Sequence, residues 1–475
     1  MANIDTTHID YARERPDWQK IEHITRLRML ESHLIRLNAH DKSEENEERN
    51  QRYRQRAIFY AFAAQTVQGL LGTMFRKDPV LSVPDQLSYV QHNADGAGTS
   101  LYQQSQGLCD DVIRKSRAGL YVSFPPTPES GVSQQDMIEG RFVATIHRLE
   151  PEQVINWRTT TVGARTKLSL VVIRETKQKT DRYAVDTYET IRELYLDDQG
   201  FYAERFWSNE NGAWQVLSTA EPTDAAGNRW TDIPFIFVGS ENNDTSVDRP
   251  VMLPIVEVNI GHYRNSADWE DTVWYSGQPQ PYMVGMTSDH VEMMAQEGMY
   301  VGSRNILGVP DGGSFGFAAP PPNPLVRQAM QDKVEMMLAL GARLLQPGST
   351  AKTATEVAGI REAQHSVLSL IAANASEAYT QALQWAARYM GVAPGPEMQE
   401  IYYAINQDYN VADASPQELQ AMMAGFVQGS IPISDYVRYM KRVGHFDNER
   451  SEEDYGDLLD SGQMALAFDD GQGEA

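Results

Sequence analysis

The sequence predicts an α+β protein in which helices pack on a mostly antiparallel sheet. Three observations predict this class. Apolar side chains recur at three- and four-residue steps near the N-terminus, short runs rich in β-branched and aromatic residues fill about residues 118–240, and helical patterns bounded by Pro and Gly follow. An apolar content of 41% and a charged content of 22% over 475 residues are ordinary for a globular protein with a sizeable core.

Three helices are expected before the sheet. In the first, apolar residues repeat at helical steps: Ile21, Ile24, Leu27, Leu30, Leu34 and Leu37. A charged stretch, 41–56, leads into a second helical pattern over 57–75. The third is predicted over 101–117, with Thr99 or Ser100 as its N-cap.

The sheet region contains two turn signals. Residues 197–200 read Asp-Asp-Gln-Gly and residues 209–212 read Asn-Glu-Asn-Gly, each between runs of β-branched and aromatic residues. Both are typical of hairpins, which predicts antiparallel strands at these positions.

Two long helices and one insert are predicted after the sheet. Pro254 begins the first helix and Gly277 ends it. Residues 277–323 are too rich in Pro and Gly for a long helix, and Asn323 with Pro324 then opens a second helix to about residue 342.

A third long helix is predicted after a small polar loop. Residues 353–356 read Thr-Ala-Thr-Glu, a capping box, and the following alanine-rich pattern is unbroken to Met390. Short capped helices and an acidic tail over 446–475 complete the chain.

Composition disfavours several classes of function. A formal net charge of -24 argues against a surface that grips nucleic acid by neutralising phosphates, although a channel that DNA slides through is better lined by repelling groups. The one cysteine, Cys109, cannot form an intrachain disulfide, which indicates a reducing compartment. Because no leader pattern or apolar run of membrane-spanning length is present, we expect a protein that is neither secreted nor membrane-embedded.

The sequence carries no signature of catalysis. Phosphate-loop, dinucleotide-binding, zinc-protease and nucleophile-elbow motifs are missing, and the histidines are scattered singly. The adjacent acids Glu270 and Asp271 could bind Mg²⁺, but neighbours on a helix point to different sides. We therefore predict a structural protein, not an enzyme, with no catalytic residue, metal or cofactor.

The ordered set of segments resembles the portal proteins of tailed bacteriophages, in a branch long described as a domain of unknown function. The resemblance covers about residues 50–390 and rests on YRQRAIFYAFAAQTVQGLLGTMFRKDP (53–79), INWR (155–158), IPFIFVG (233–239), LPIVEVNIGHYRNSADWEDTVWYSGQPQPYMVGM (253–286), and GARLL with TATEVAGIREAQHSVLSLIAANASEAYTQAL (341–383).

The resemblance implies a portal-like α+β architecture. Its parts would be the wing (1–252), a first stem helix (253–277), the clip (278–322), a second stem helix (323–342), the tunnel loop (343–354), a long wing helix (355–391) and a helical crown with the acidic tail (392–475).

Three groups of site residues follow from this mapping. The tunnel loop in the DNA channel would contain Arg343, Gln346, Pro347, Gly348, Ser349, Thr350 and Lys352. Candidates that line the channel from the first stem helix are Glu257, Arg264, Asp268, Glu270 and Asp271. Candidates in the clip for docking of terminase or adaptor are Gln278, Gln280, Tyr282, Arg304, Asn305 and Asp311. For Arg343 and Lys352, ordinary surface charge or an intersubunit ion pair is an open alternative to a phosphate contact.

The resemblance also implies partners and a location. A portal protein forms a dodecameric ring at one capsid vertex, through which double-stranded viral DNA is packaged and ejected. Its partners would be further copies of itself, the terminase large subunit, a head–tail adaptor, and capsid and scaffold proteins, with no membrane. We expect a virion protein assembled in the host cytoplasm. Two other classes stay open: another virion component (adaptor, scaffold or minor capsid protein) and an enzyme of unrecognised type.

Overall fold

In the computed structural model the chain divides into two compact units, Met1–Gln407 and Asp408–Ala475. The structure describes residues 3–125, 142–209, 213–278, 280–289, 291–292, 309, 311–318, 324–345, 366–392, 395–407 and 431–442. Helices and strands are both abundant, so the α+β class is confirmed. None of the described helices has the length and apolarity needed to cross a membrane.

The first unit begins with four helices and one short strand. These are α1 (Ile9–Thr25), α2 (Glu44–Arg56), α3 (Phe62–Met74), β1 (Val80–Ser82) and α4 (Leu101–Lys115). The predicted start of α4 is confirmed, because Ser100 caps the helix and forms a reciprocal capping box with Gln103, whereas the helix ends at Lys115, before the predicted end near residue 117.

The prediction that the first helical pattern runs to Leu37 is wrong. Helix α1 ends at Thr25, and Leu27 and Met29 adopt left-handed backbone conformations with φ of 55° and 47°. The chain turns there because Leu34 is buried in a cluster with Tyr53 of α2. Burial against a distant element therefore overrides the local periodicity.

The second helical pattern is also interrupted. The sequence predicts a helix over 57–75, whereas residues 57–61 form a linker and α3 begins at Phe62. The carbonyl groups of Ile58 and Tyr60 accept hydrogen bonds from side chains about 200 residues away in the chain, as described below.

Two antiparallel sheets follow. The first has the order β3–β2–β9, with β2 (Arg117–Ser123), β3 (Thr145–Leu149) and β9 (Phe235–Gly239). The second is a five-stranded meander of β4 (Val154–Val162), β5 (Arg165–Asp181), β6 (Ala184–Leu196), β7 (Tyr202–Ser208) and β8 (Gln215–Ala220). The antiparallel sheet predicted for this region is confirmed.

The predicted hairpin at 197–200 is present between β6 and β7. The Asp197 carboxylate accepts the N–H groups of Gln199 and Phe201, and Gly200 has a φ of 82° that favours glycine. Strands β7 and β8 pair antiparallel, as the second turn signal predicts, although residues 210–212 lie outside the described part of the chain.

The rest of the first unit consists of helices with two short strand pairs. In chain order these elements are α5 (Leu253–Gly277), β10 (Gln280–Val284), β11 (Ser314–Ala318), α6 (Pro324–Leu345), α7 (Val367–Tyr389), α8 (Pro396–Gln399) and β12 (Tyr402–Ala404). Helix α7 packs on α4, β2 and β9 through fully buried alanines: Ala372, Ala375, Ala378, Ala382, Ala386 and Ala387.

Two predicted boundaries near α7 need correction. A helix unbroken from 355 would pass through Ser366 in helical conformation, but Ser366 is extended (φ -68°, ψ 158°) and its Oγ caps the N–H of Ser369 at 3.2 Å. The second is the boundary before the last part of the chain, which the sequence predicts at 392 and the structure has after Gln407. Residues 392–407 belong to the first unit because β12 pairs with β1 and the Tyr403 hydroxyl lies 2.7 Å from Ser105 Oγ of α4.

In the second unit the described residues form one helix, α9 (Ile433–Arg442). Its Tyr436 and Val437 are buried. The capping box predicted at 415–418 and the acidic tail at 446–475 lie outside the described residues.

Candidate functional site: a helix pair that carries a β-hairpin

The helices α5 and α6 pack against each other and are connected through the hairpin β10–β11. With 25 and 22 residues, they are about 37 and 33 Å long at 1.5 Å per residue. Helix α5 begins at Leu253, one residue before the predicted Pro254, and α6 begins at the predicted Pro324. A proline in the first turn of a helix leaves no intrahelical hydrogen bond unmade.

The inner face of α6 follows a three- and four-residue rhythm. Its buried or half-buried positions include Val326, Met330, Lys333, Met337 and Leu344. The side chain of Lys333 on α6 packs against Gly261 of α5. A Cβ added to Gly261 would lie 3.1 Å from Lys333 Cε. The small residue therefore lets the two helices approach closely at this point.

The hairpin between the helices is a regular antiparallel ladder. It runs from the pair Gln280 and Ala318 to the pair Val284 and Ser314. At its centre, Tyr282 faces Gly316, and a Cβ at Gly316 would come within 2.7 Å of the Tyr282 hydroxyl oxygen. The tyrosine ring thus covers the glycine, which compensates for a residue that packs poorly in a strand.

Four of the six predicted clip residues can be placed. Tyr282 lies in β10 with about half of its surface exposed, Gln280 begins that strand, Gln278 is exposed at the end of α5, and Asp311 is exposed just before β11. Arg304 and Asn305 lie outside the described residues. The structure therefore brings the placed residues to the hairpin end of the helix pair, and their docking role stays a prediction.

Helix α5 is fixed to the linker between α2 and α3 by two buried polar side chains. Asn259 Oδ1 accepts the N–H of Ala63 at 3.0 Å, and its Nδ2 donates to the carbonyl of Tyr60 at 2.9 Å. Ser266 Oγ donates to the carbonyl of Ile58 at 2.6 Å. Ala61, the residue before α3, has no side chain that could cap the helix. Asn259 of α5 therefore supplies the N-cap hydrogen bond of α3.

The C-terminal half of α5 is held to α2 by charged and aromatic contacts. The Asp271 carboxylate pairs with Arg49 at 3.2 Å and with Arg56 at 3.0 Å. Arg56 lies over the Trp274 ring at 4.0 Å, and Arg49 also contacts the Tyr275 hydroxyl. These arginines were missed by sequence reasoning, although their spacing of seven residues on a charged helix places them on one face.

Most of the predicted channel-lining residues have partners in their own chain. Glu257 pairs with Lys20 of α1 at 2.5 Å, and Arg264 donates to the carbonyl of His33 at 2.9 Å. Asp268 accepts a hydrogen bond from the Tyr53 hydroxyl at 2.7 Å, and burial, followed by this hydrogen bond, raises the pKa of Tyr53.

Of the four acids of α5, Glu257 and Asp271 are therefore paired with cations of α1 and α2, and Asp268 accepts a hydrogen bond from the uncharged Tyr53 hydroxyl. Glu270 differs from the others, because it lies on another side of the helix and no described residue forms an ion pair with it. Whether any of these residues faces a channel stays a prediction.

The tunnel-loop candidates are mostly outside the described residues. Arg343 is exposed in the last turn of α6, where a cation is favourable for the helix dipole. Gln346, Pro347, Gly348, Ser349, Thr350 and Lys352 are not described. Among the described residues, no group of three or more His, Cys, Asp or Glu side chains could hold a metal ion.

Exposed apolar side chains are concentrated on the helix pair and its hairpin. Large examples on α6 are Leu325 (70% exposed) and Leu338 (57% exposed). The others in this region are Val273, Trp274, Tyr275, Tyr282, Val284, Met286, Val291, Val309, Phe317 and Met336. So much exposed apolar surface in one region marks an interaction surface.

Comparison with known proteins identifies similar chains. The model of a family described as "Domain of unknown function (DUF4055)" matches residues 251–390, which span α5 to α7. No curated protein matches the chain. One similar solved chain is in the virion of a native gene transfer agent (GTA) particle, with 11% identity, a TM-score of 0.39, and coverage of 83% of this chain and 89% of that one.

Two further similar chains come from necks of such particles. One is in the neck of the native GTA particle with C12 symmetry (13% identity, TM-score 0.41, 81% of this chain and 89% of that chain). The other is in the neck of the empty particle with C6 symmetry (12% identity, TM-score 0.35, 82% and 88%). At these values the likeness alone establishes no shared function.

Proposed function

We propose that this chain is the subunit of a portal-type ring in a phage-like particle, a passive conduit for double-stranded DNA. The observation that carries the proposal is the helix pair α5–α6 with its β-hairpin and its concentration of exposed apolar side chains. A monomer in water would leave these side chains unburied, whereas a ring buries one such surface of each subunit against a different surface of the next.

The proposal includes a dodecameric ring at one capsid vertex, assembled in the host cytoplasm. The hairpin end of the helix pair would face outward and dock terminase and then the head–tail adaptor, through the region of Gln278, Tyr282 and Asp311. The net charge of -24 supports a channel to which passing DNA does not adhere. We also propose that the chain catalyses no reaction.

Mass photometry and electron microscopy of the purified full-length chain test the ring. We expect annular particles of many times the subunit mass of 53.4 kDa. Leu325→Lys and Leu338→Lys should each lower the ring fraction, because each places a charge on an apolar surface that assembly would bury. Ile9→Lys is the matched control, since Ile9 is 77% exposed and lies in the first turn of α1, outside the helix pair.

The result that contradicts the ring is a folded monomer or dimer at every salt concentration. An adaptor would be favoured by two results together. The ring would bind only from outside to a preformed capsid neck, and DNA packaging would continue when this protein is removed. Nucleotide hydrolysis by the pure chain would contradict the passive role.

A further inference from the structure

A two-stranded ribbon extends from the five-stranded sheet. Strand β4 pairs with β5 only as far as Ile173, and β7 pairs with β6 only from Thr190 onward. Between these points, Glu175 pairs with Thr190, and residues 176–189 pair with each other and with no other described strand. The ribbon reaches about 23 Å beyond the sheet at 3.3 Å per residue.

The tip of the ribbon carries two exposed apolar side chains and Arg182, in a segment that also contains Asp181 and Asp186. Tyr183 is 89% exposed and Val185 is 55% exposed, and Arg182 lies over the Tyr183 ring at 5.3 Å. An isolated two-stranded ribbon is only marginally stable in water. A partner that covers the tip would therefore stabilise it.

A complementary patch lies on the outer strand of the same sheet. Strand β8 has neither charge nor proline, and it pairs with β7 alone among the described strands. A register shift leaves Leu217 as the extra residue of a bulge, with 64% of its surface exposed next to Val216. The side chain of Glu221, which follows β8 directly, is 63% exposed and lies 3.5 Å from Arg229 of its own chain.

The two patches match in chemistry and do not meet within one chain. Apolar Tyr183 and Val185 can cover Val216 and Leu217, and Arg182 can approach Glu221. All six are exposed. Two different patches that complement each other produce a head-to-tail contact, the kind that closes into a ring.

We infer that the tip of the 176–189 ribbon docks on the β8 patch of the neighbouring copy of this chain. The inference rests on the proposed function, which supplies the neighbouring copy. It assigns a subunit contact to the sheet, separate from the surface of the helix pair.

Disulfide crosslinking between two single-cysteine variants tests the contact. The native Cys109 is fully buried, so it gives little background. V185C and L217C are purified separately, mixed under assembly conditions and oxidised. We expect disulfide dimers in the mixture and almost none in either variant alone.

The matched control replaces V185C with V162C, because Val162 is 59% exposed at the β4–β5 turn of the same sheet. Dimers in the control mixture at the same level would overturn the inference. Dimers of L217C alone would show that β8 docks on β8, which also overturns it. L217K should lower the ring fraction while V162K should not, with both variants checked for folding by circular dichroism.

The outcomes separate this contact from the ring itself. Annular particles without mixed disulfide dimers overturn the contact and leave the ring proposal standing. Mixed dimers without annular particles support the contact and contradict the ring.

Discussion

Asn259 shows how one buried amide fixes the position of a whole helix pair. It is fully buried and satisfies both an N–H of α3 and a carbonyl of the linker before it. Replacement by alanine leaves both backbone groups buried without a partner. We expect Asn259→Ala to lower the free energy of unfolding by about 3 kcal/mol, since each unsatisfied group costs about 1–3 kcal/mol.

Chemical denaturation measures this effect. Asn265→Ala is the control, because Asn265 lies in the same helix and is partly exposed. A change of similar size in both variants would mean that the hydrogen bonds of Asn259 are not what fixes α5.

Asp271 and Glu270 are neighbours with different environments. Asp271 pairs with Arg49 and Arg56, and only 15% of its side chain is exposed. Asp271→Ala should therefore destabilise the protein by about 2 kcal/mol, because it removes the carboxylate partner of two arginines. Glu270→Ala removes the same charge but should change stability by less than about 0.5 kcal/mol.

Thermal unfolding of the two variants decides between two roles for Asp271. A pure channel-lining acid would affect DNA passage without affecting stability. Equal and negligible stability changes in both variants would contradict the structural role that the two ion pairs indicate.

His8 makes the start of α1 sensitive to pH. Its Nδ1 accepts the N–H of Asp10 at 3.2 Å, which requires the neutral ring, and burial lowers the pKa of His8 from the ordinary 6.5. As the pH falls, His8 therefore binds a proton in the unfolded chain at a higher pH than in the folded protein. The stabilisation is present above pH 6.5 and is lost as the pH falls through the lowered pKa.

His8→Asn keeps an N-cap that does not titrate. Relative to this variant, the wild type should lose about 1 kcal/mol between pH 7.5 and pH 5, as measured by urea denaturation. His92→Asn is the control, because His92 is exposed. Parallel pH profiles of wild type and His8→Asn would contradict the role of the cap.

At the scale of single elements, Ser366 decides where α7 begins. Its side chain is mostly buried and caps the N–H of Ser369. Ser366→Ala should cost about 1 kcal/mol, the usual price of a lost N-cap. If one helix ran from 355 through 366, the same substitution would stabilise the protein slightly, because alanine favours helix interiors. The urea concentration at the midpoint of unfolding should therefore fall if Ser366 is an N-cap and rise slightly if it is inside a helix.

Local signals predicted the elements whose ends are set by their own residues. Pro254, Pro324 and the Ser100 capping box all mark helix starts that the structure confirms. The linker at 57–61 could not be predicted in this way, since its carbonyls are bound by Asn259 and Ser266. The ion pairs of the candidate site could not be predicted either. Arg49 and Arg56 pair with Asp271 from a helix more than 200 residues earlier in the chain.

At the scale of the whole molecule, charge is the property that the sequence determines most directly. Acidic residues outnumber basic ones by 65 to 41, and two of the four acids of α5, Glu257 and Asp271, are paired with cations of the same chain. We therefore attribute the proposed repulsion of DNA to the charge of the whole surface and not to one row of side chains.

This distributed charge leads to a prediction about DNA. The purified, assembled protein should not retard linear double-stranded DNA in gels at about 0.15 M salt. Non-specific binders reach dissociation constants of about 10⁻⁴ to 10⁻⁶ M by neutralising phosphates, and a net charge of -24 per subunit opposes that. A basic DNA-binding protein of similar mass serves as the positive control. Micromolar binding that weakens steeply with salt would show a clustered cationic surface and would contradict a conduit through which DNA slides without adhering.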